Sequence, residues 1–243
     1  MPHNNIQLNP RIVNAVMTVG AEKTPVIVID NFILDSNSLV EYVSERVSFD
    51  SEKHTYYPGV RAKINDEYAN FVVDMLGERL LEPFAVPNGF KPVYDSGYYS
   101  LVATPPDKLL PQQCRPHSDS ARPHYLAIMH YLSSGSHGGT GFFRHRRTGF
   151  EKITANRIQE YSGSVVESDK VHGNPPQGYI AESTDQYELI GKIDYKPNRV
   201  IIYPGCLLHS GLINPETDIS KDPERGRLTA NVFLDFAPSV GQF

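Results

Sequence analysis

The sequence predicts a mainly β fold with some helix (α+β), a sandwich or barrel of short strands with N-terminal helices packed on its outer face. Three observations carry this. After Pro92, short runs rich in β-branched and aromatic residues recur between Gly, Pro and Asn, the pattern of many short strands. Before Pro92, two stretches space their apolar residues for helices. Neither half contains a glycine-rich phosphate loop or a repeat of fixed period. The expected organisation is a single domain over residues 1–243, with an N-terminal strand and helices in 1–92 and the β core in 93–243.

Taken in order, residues 25–32 (PVIVIDNF) are an apolar run closed by Asp30-Asn31, a buried strand ending in a turn. Ser38 and Glu41 have capping-box spacing, and Leu39, Val43 and Val47 follow on one helical face. A second helix is expected over 66–84, with Phe71, Val72, Met75, Leu76 and Leu80 in period and Pro87-Asn88-Gly89 ending it. Between the helices, 54–63 (HTYYPGVRAK) is aromatic and turn-forming and reads as a surface connection, with a loop over a pocket as the other reading. Strands are expected at 93–103, 124–132, 139–145, 199–204 and 228–236. Residues 151–196 read as one or two strands and a long loop, with no chemistry assigned.

The 243 residues are 40% hydrophobic and 21% charged, ordinary for a globular protein. A net charge of −5 leaves no electrostatic footprint for nucleic acid or an anionic membrane. No apolar run is long enough to span a bilayer, and residues 1–13 lack a basic segment followed by an apolar one, so a cytoplasmic location is expected. Cys114 and Cys206 lack metal-site or disulfide-framework spacing and read as small buried residues.

The chemistry begins at His117-Ser118-Asp119. On a strand, alternate side chains share a face, so an imidazole and a carboxylate would enter the same space. Two ligands need a third, and His209, after the apolar strand and Pro-Gly turn of RVIIYPG, is the candidate. Neutral imidazoles with a hard carboxylate suit iron(II) and leave coordination positions open, unlike the closed Cys/His sets of structural zinc. The last strand is two-faced: Leu228, Ala230, Val232 and Leu234 alternate with Arg227, Thr229, Asn231 and Phe233. A guanidinium fork and a hydroxyl two residues apart form a carboxylate clamp. Arg225 is the other candidate for that fork. Arg144, in the basic run 144–147, is a candidate for recognising an acidic substrate, although a solvated hairpin end is the plainer reading. Tyr99 is the further candidate at the pocket.

These residues resemble the signature of the Fe(II)/2-oxoglutarate-dependent dioxygenases. Their order, the YL…GGT…F segment and the opening VIDNF with its helix are most similar to the prolyl-hydroxylase-like branch, in a bacterial subgroup of unknown function. The resemblance spans about 26–236 and is specific at the motif positions. It implies a double-stranded β-helix (jelly roll), with His117, Asp119 and His209 holding Fe(II). It implies that Arg227 and Thr229 bind the distal carboxylate of 2-oxoglutarate, with Tyr131 sharing it. O2 would be the second cosubstrate, succinate and carbon dioxide the coproducts, and the C–H bond of an amino acid, peptide or small metabolite the target of hydroxylation. Two alternatives stay open: a cupin-like metalloenzyme that uses no 2-oxoglutarate, and a non-catalytic jelly-roll binding module.

Overall fold

Alternation along the strands builds the fold. The computed structural model describes residues 6–51 and 56–239. Among them, β1 (Val13–Val19), β2 (Thr24–Asp30), β3 (Gly59–Lys63), β4 (Phe90–Val102), β5 (Leu126–Tyr131), β8 (Arg199–Pro204) and β10 (Leu228–Pro238) form one antiparallel sheet. Its order is β1-β2-β8-β5-β10-β4-β3. A smaller sheet, β7-β6-β9, joins β6 (Thr140–His145), β7 (Tyr187–Ile193) and β9 (His209–Gly211). The two sheets make a β-sandwich of the jelly-roll type. Strands from both sides of residue 92 share the larger sheet, so the N-terminal segment is built into the β core.

The central strands of the larger sheet bury apolar residues on both faces. Leu126, Ile128, Val200, Ile202 and the even-numbered residues 228–236 point to the helices α1 (Ser36–Arg46) and α2 (Asp66–Leu76), packing on Leu39, Val43, Tyr68 and Val72. Ala127, Tyr131, Ile201 and Tyr203 point the other way, onto Phe142, Ile193 and Leu207. The helices therefore cover the outer face, as the sequence pattern predicts.

Local details depart from expectation where polar side chains decide the ends. Asp35, three residues before Ser38, caps α1, accepting from the Ser38 backbone N–H at 3.0 Å and the Ser38 hydroxyl at 2.6 Å. Asn65 caps α2, and the helix ends at Leu76 rather than near 84. There Gly77 passes so close to Pro92 that a Cβ would lie 2.7 Å from the proline ring, and a 3-10 turn (Gly77–Leu80) follows. Within 54–63, residues 54–55 lie outside the described residues, and the remainder leads into β3. The 151–196 stretch contains β7 and a 15-residue helix, α3 (Ile158–His172), which the sequence reading missed. It has no side-chain N-cap, and Ser168 is its one fully buried residue, so the usual signals are faint. Among the described residues, no helix is long and apolar enough to cross a membrane.

The helical layer is locked to the sheet through His130. The Asn198 side chain forms a two-way pair with the Ile33 backbone, accepting its N–H at 3.0 Å and donating to its carbonyl at 2.8 Å. That leaves the Asn198 carbonyl oxygen to accept from His130 Nε2–H at 3.1 Å, and the Tyr68 hydroxyl to donate to Nδ1 at 2.8 Å. Burial lowers the His130 pKa from 6.5 to about 4, partly opposed by the Asn198 bond. A depressed folded-state pKa means the unfolded chain takes up the proton first. Stability is therefore complete above about pH 6.5 and falls as pH drops towards 4. At roughly 1.4 kcal/mol per pH unit, the loss reaches on the order of 3 kcal/mol by pH 4. Urea midpoints at pH 7, 5.5 and 4.5 should fall more steeply in the wild type than in His130→Gln; parallel slopes would remove His130 from the explanation.

Candidate metal centre and cavity

His117-Ser118-Asp119 is irregular backbone held against β9 and the preceding turn, not a strand. His117 and His209 exchange both backbone hydrogen bonds at 2.9 Å, and Asp119 N–H donates to the Gly205 carbonyl at 2.7 Å. This bridge brings the expected ligands together. Asp119 Oδ1 lies 3.6 Å from His117 Nε2, and Oδ2 lies 3.5 Å from His209 Nε2. One donor atom from each residue falls within 4.8 Å of the others. The imidazole rings sit 4.3 Å apart, centroid to centroid.

The donor set suits a cation. His209 Nδ1–H donates to the Leu207 carbonyl at 2.8 Å, fixing the tautomer that leaves the Nε2 lone pair towards Asp119. Burial holds the His209 pKa down to about 4, against the opposing charge of Asp119, so the ring is neutral at pH 7. Burial also raises the Asp119 pKa, but His209 and His117 outweigh it and hold the carboxyl below its ordinary value. The His117 side chain is 58% exposed, so the cluster opens towards the cavity mouth.

The cluster lies in a cavity of about 920 Å³ between the sheets. Its wall on the larger sheet is the inner face of β5, β10 and β4: Ala127, Met129, Thr229, Asn231, Phe233 and Ser100. Arg227, just before β10, also lines it and is only 3% exposed. Its Nε donates to the Gly138 carbonyl at 2.6 Å and Nη2 to the Gly139 carbonyl at 3.2 Å. Its guanidinium lies 5.3 Å from the Tyr131 ring centroid and 6.0 Å from that of Tyr195. The Asn231 amide donates at 3.0 Å to both the Thr229 and Ser100 hydroxyls. Arg225, by contrast, is 84% exposed and 3.5 Å from Asp222.

The structure brings His117, Asp119, His209, Arg227 and Thr229 into one cavity and leaves Tyr131, Tyr99 and Arg144, like Arg225, out of its lining. Tyr131 is buried behind the wall, with its hydroxyl 2.7 Å from the Thr140 hydroxyl. Tyr99 is on the helix face of β4, packed near Tyr68; along β4 it is Ser100 and Val102 that line the cavity. Arg144 is paired with Glu151 at 2.5 Å and Glu188 at 2.9 Å. That ion pair holds the β1–β2 turn to the smaller sheet, since Glu151 also accepts from the N–H groups of Ala21 and Glu22. Gly20 there, at φ +68°, has no room for a Cβ against the Glu151 carboxylate. Cys114 and Cys206 are buried and free, as expected.

Other cavity residues were missed in the sequence. Arg61 and Tyr57 lie in the stretch read as a surface connection, and Tyr161, Val165 and Asp169 come from α3. Strand alternation in GVRAK is the signal that places Arg61 opposite the buried Val60. Asp218 lies in the long segment between His209 and Arg227. It is fully buried and accepts from His137 Nδ1–H and the N–H groups of Gly138 and Asn214, at 2.9–3.0 Å. It thereby fixes the loop whose carbonyls hold Arg227.

Fold and site together define a jelly-roll β-sandwich with a His-Asp-His cluster and a buried arginine lining one cavity. The chain belongs to the family described as a family of unknown function, DUF6445, whose model matches residues 10–234. No curated protein matches the sequence. Among solved structures it is similar to HygX from Streptomyces hygroscopicus with nickel and 2-oxoglutarate bound, at 14% identity, covering 90% of this chain and 85% of that one, TM-score 0.44. It is also similar to AviO1 from Streptomyces viridochromogenes Tue57, at 9% identity, 96% and 91% coverage and TM-score 0.40. A third is a novel N-substituted L-amino acid dioxygenase from Burkholderia ambifaria AMMD, at 11% identity, 96% and 95% coverage and TM-score 0.36.

Proposed function

We propose that this protein is an iron(II)- and 2-oxoglutarate-dependent oxygenase that hydroxylates a C–H bond of a small molecule or peptide. The observation that supports it is one cavity shared by two imidazoles, one carboxylate and a buried guanidinium–hydroxyl pair. His117, Asp119 and His209 hold the metal, a set that neutralises one charge and leaves positions open. Bound iron(II) supplies the activation of O2 coupled to oxidative decarboxylation of 2-oxoglutarate. Arg227 and Thr229 bind the distal carboxylate of the cosubstrate, and Tyr131 supports the clamp as a ring stacked near Arg227 rather than as a hydroxyl donor. Phe233, Met129 and Tyr203 line the same cavity, and their apolar and aromatic surface would keep bulk water from the reacting atoms.

Asp218 is a positioning residue for this clamp. Asp218→Asn places an amide against the N–H groups its carboxylate accepts, and is expected to cost about 2 kcal/mol of stability. It should also weaken 2-oxoglutarate binding roughly tenfold while leaving Mn(II) affinity unchanged. Calorimetric titration of each ligand separates the cases, since a merely structural role would leave the 2-oxoglutarate constant in place. The proposal itself is tested by incubating purified protein with Fe(II), 2-oxoglutarate and candidate amino acids in air. Succinate formation that needs both Fe(II) and O2 is expected; turnover indifferent to 2-oxoglutarate would assign the site to a cosubstrate-free metalloenzyme.

A further inference from the structure

Three cationic side chains line the cavity among the described residues: Arg227, Arg115 and Arg61. Arg227 is the clamp, and Arg115 pairs with Asp169 of α3 at 3.1 Å. Arg61 lies on β3, at the edge of the larger sheet, and the strand register sets it in a row with the clamp. Arg61 faces Ser100 across β3–β4, and Ser100 faces Thr229 across β4–β10. At about 4.8 Å per strand, Arg61 stands roughly 10 Å from Thr229, backbone to backbone. The row is polar throughout, with Asn231 donating to both hydroxyls in its middle.

The aromatic setting of Arg61 points to a ligand anion. Its guanidinium lies 4.4 Å from the Tyr98 ring centroid and 5.2 Å from that of Tyr57. Stacking holds a guanidinium by its faces and turns its in-plane N–H groups sideways, the geometry of a bidentate carboxylate contact. Arg61 lines the cavity together with Tyr57, and burial raises the Tyr57 hydroxyl to about 12, against the opposing charges of Arg227 and Arg61. The cavity thus carries one guanidinium on either side of the Ser100–Thr229–Asn231 floor, while Val102 and Val165 supply apolar wall.

We propose that Arg61, with Ser100 beside it, anchors the carboxylate of the substrate, which makes the substrate an organic carboxylic acid with an apolar body. The assignment rests on the oxygenase reading of the same cavity, in which Arg227 is occupied by 2-oxoglutarate. The substrate's body then lies against Val102 and Val165, between the Arg61 anchor and the metal cluster. Arg144, the basic residue first considered for an acidic substrate, is held in its ion pairs away from this row.

The test uses hexanoate and hexanamide as matched probes on zinc-loaded protein saturated with 2-oxoglutarate, read by saturation-transfer NMR. Hexanoate is expected to bind and hexanamide to bind at least about tenfold more weakly, the loss of a charge-assisted contact. Arg61→Met keeps the stacked stem and should reduce hexanoate affinity about tenfold, with 2-oxoglutarate affinity within about twofold of wild type. Equal binding of the two probes, or hexanoate binding unaffected by Arg61→Met, overturns the anchor. Hexanoate that binds only when 2-oxoglutarate is left out also overturns it, because a single anion site at Arg227 would then serve both. Should Arg61→Met not fold, Ser100→Ala carries the test, with a several-fold loss of hexanoate binding expected and no loss counting against the anchor. If 2-oxoglutarate itself fails to bind the wild type, the oxygenase reading falls, while Arg61-dependent selection of hexanoate is scored independently.

Discussion

Asp119→Ala is expected to abolish tight metal binding and to lower 2-oxoglutarate turnover by roughly three orders of magnitude. Asp119 is the only anionic member of the cluster and stands between both imidazoles, 3.5 Å and 3.6 Å from their Nε2 atoms. Removing it leaves two imidazoles and no negative charge to offset a divalent ion. A bound metal stabilises developing charge by several kcal/mol, and each 1.4 kcal/mol is about tenfold in rate. The fold should survive, because the backbone of this segment is tied by its own hydrogen bonds to Gly205 and His209. Mn(II) should therefore raise the melting temperature of the wild type but not of Asp119→Ala, while the two melt alike in a chelator. A variant that still gains stability from Mn(II) would place the ion elsewhere.

Arg227→Met is expected to separate cosubstrate binding from metal binding. The guanidinium is 3% exposed, so its contact with a carboxylate is made away from bulk water, where a charge-assisted bidentate pair contributes about 3 kcal/mol, roughly a hundredfold in affinity. Methionine also strands the Gly138 carbonyl, at a stability cost of about 2 kcal/mol, while the Gly139 carbonyl keeps its bond from the Leu212 N–H. Metal affinity should stay within about twofold, since Arg227 is not a ligand. Arg227→Lys restores charge without the planar fork and should recover only part of the loss. Equal loss of metal and 2-oxoglutarate in Arg227→Met, with the protein folded, would contradict the division of labour.

The legible parts of the sequence were those where alternation or a single backbone contact decides the outcome. The two-faced last strand put Leu228, Ala230, Val232 and Leu234 against the helices and Arg227, Thr229 and Asn231 in the cavity, as its parity requires. His117 and Asp119 converge with His209 for a different reason than strand alternation. A two-way backbone bridge and the Asp119–Gly205 bond hold an irregular segment in place, and neither is visible in a tripeptide. Tyr99 failed on parity: β4 turns Ser100 and Val102 inward, which commits Tyr99 to the helix side. Tyr131 faces inward but spends its hydroxyl on Thr140. α3 lacks a side-chain cap, and the strand that carries Arg61 begins on the glycine of Pro58-Gly59, a pair that reads as a turn. The segment between His209 and Arg227 carries Asp218, whose long-range contacts with His137 and Gly138 residue spacing does not reveal.

The central claim is that the His-Asp-His cluster and Arg227 serve one metal-chelated cosubstrate. It is tested most directly by anaerobic titration of the Fe(II)-loaded protein with 2-oxoglutarate, followed by visible absorption. A weak charge-transfer band should grow and saturate with 2-oxoglutarate. It should be absent with zinc in place of iron and need about a hundredfold more 2-oxoglutarate in Arg227→Met. Fe(II)-loaded protein that shows no band, and whose melting temperature does not respond to 2-oxoglutarate, would contradict the account.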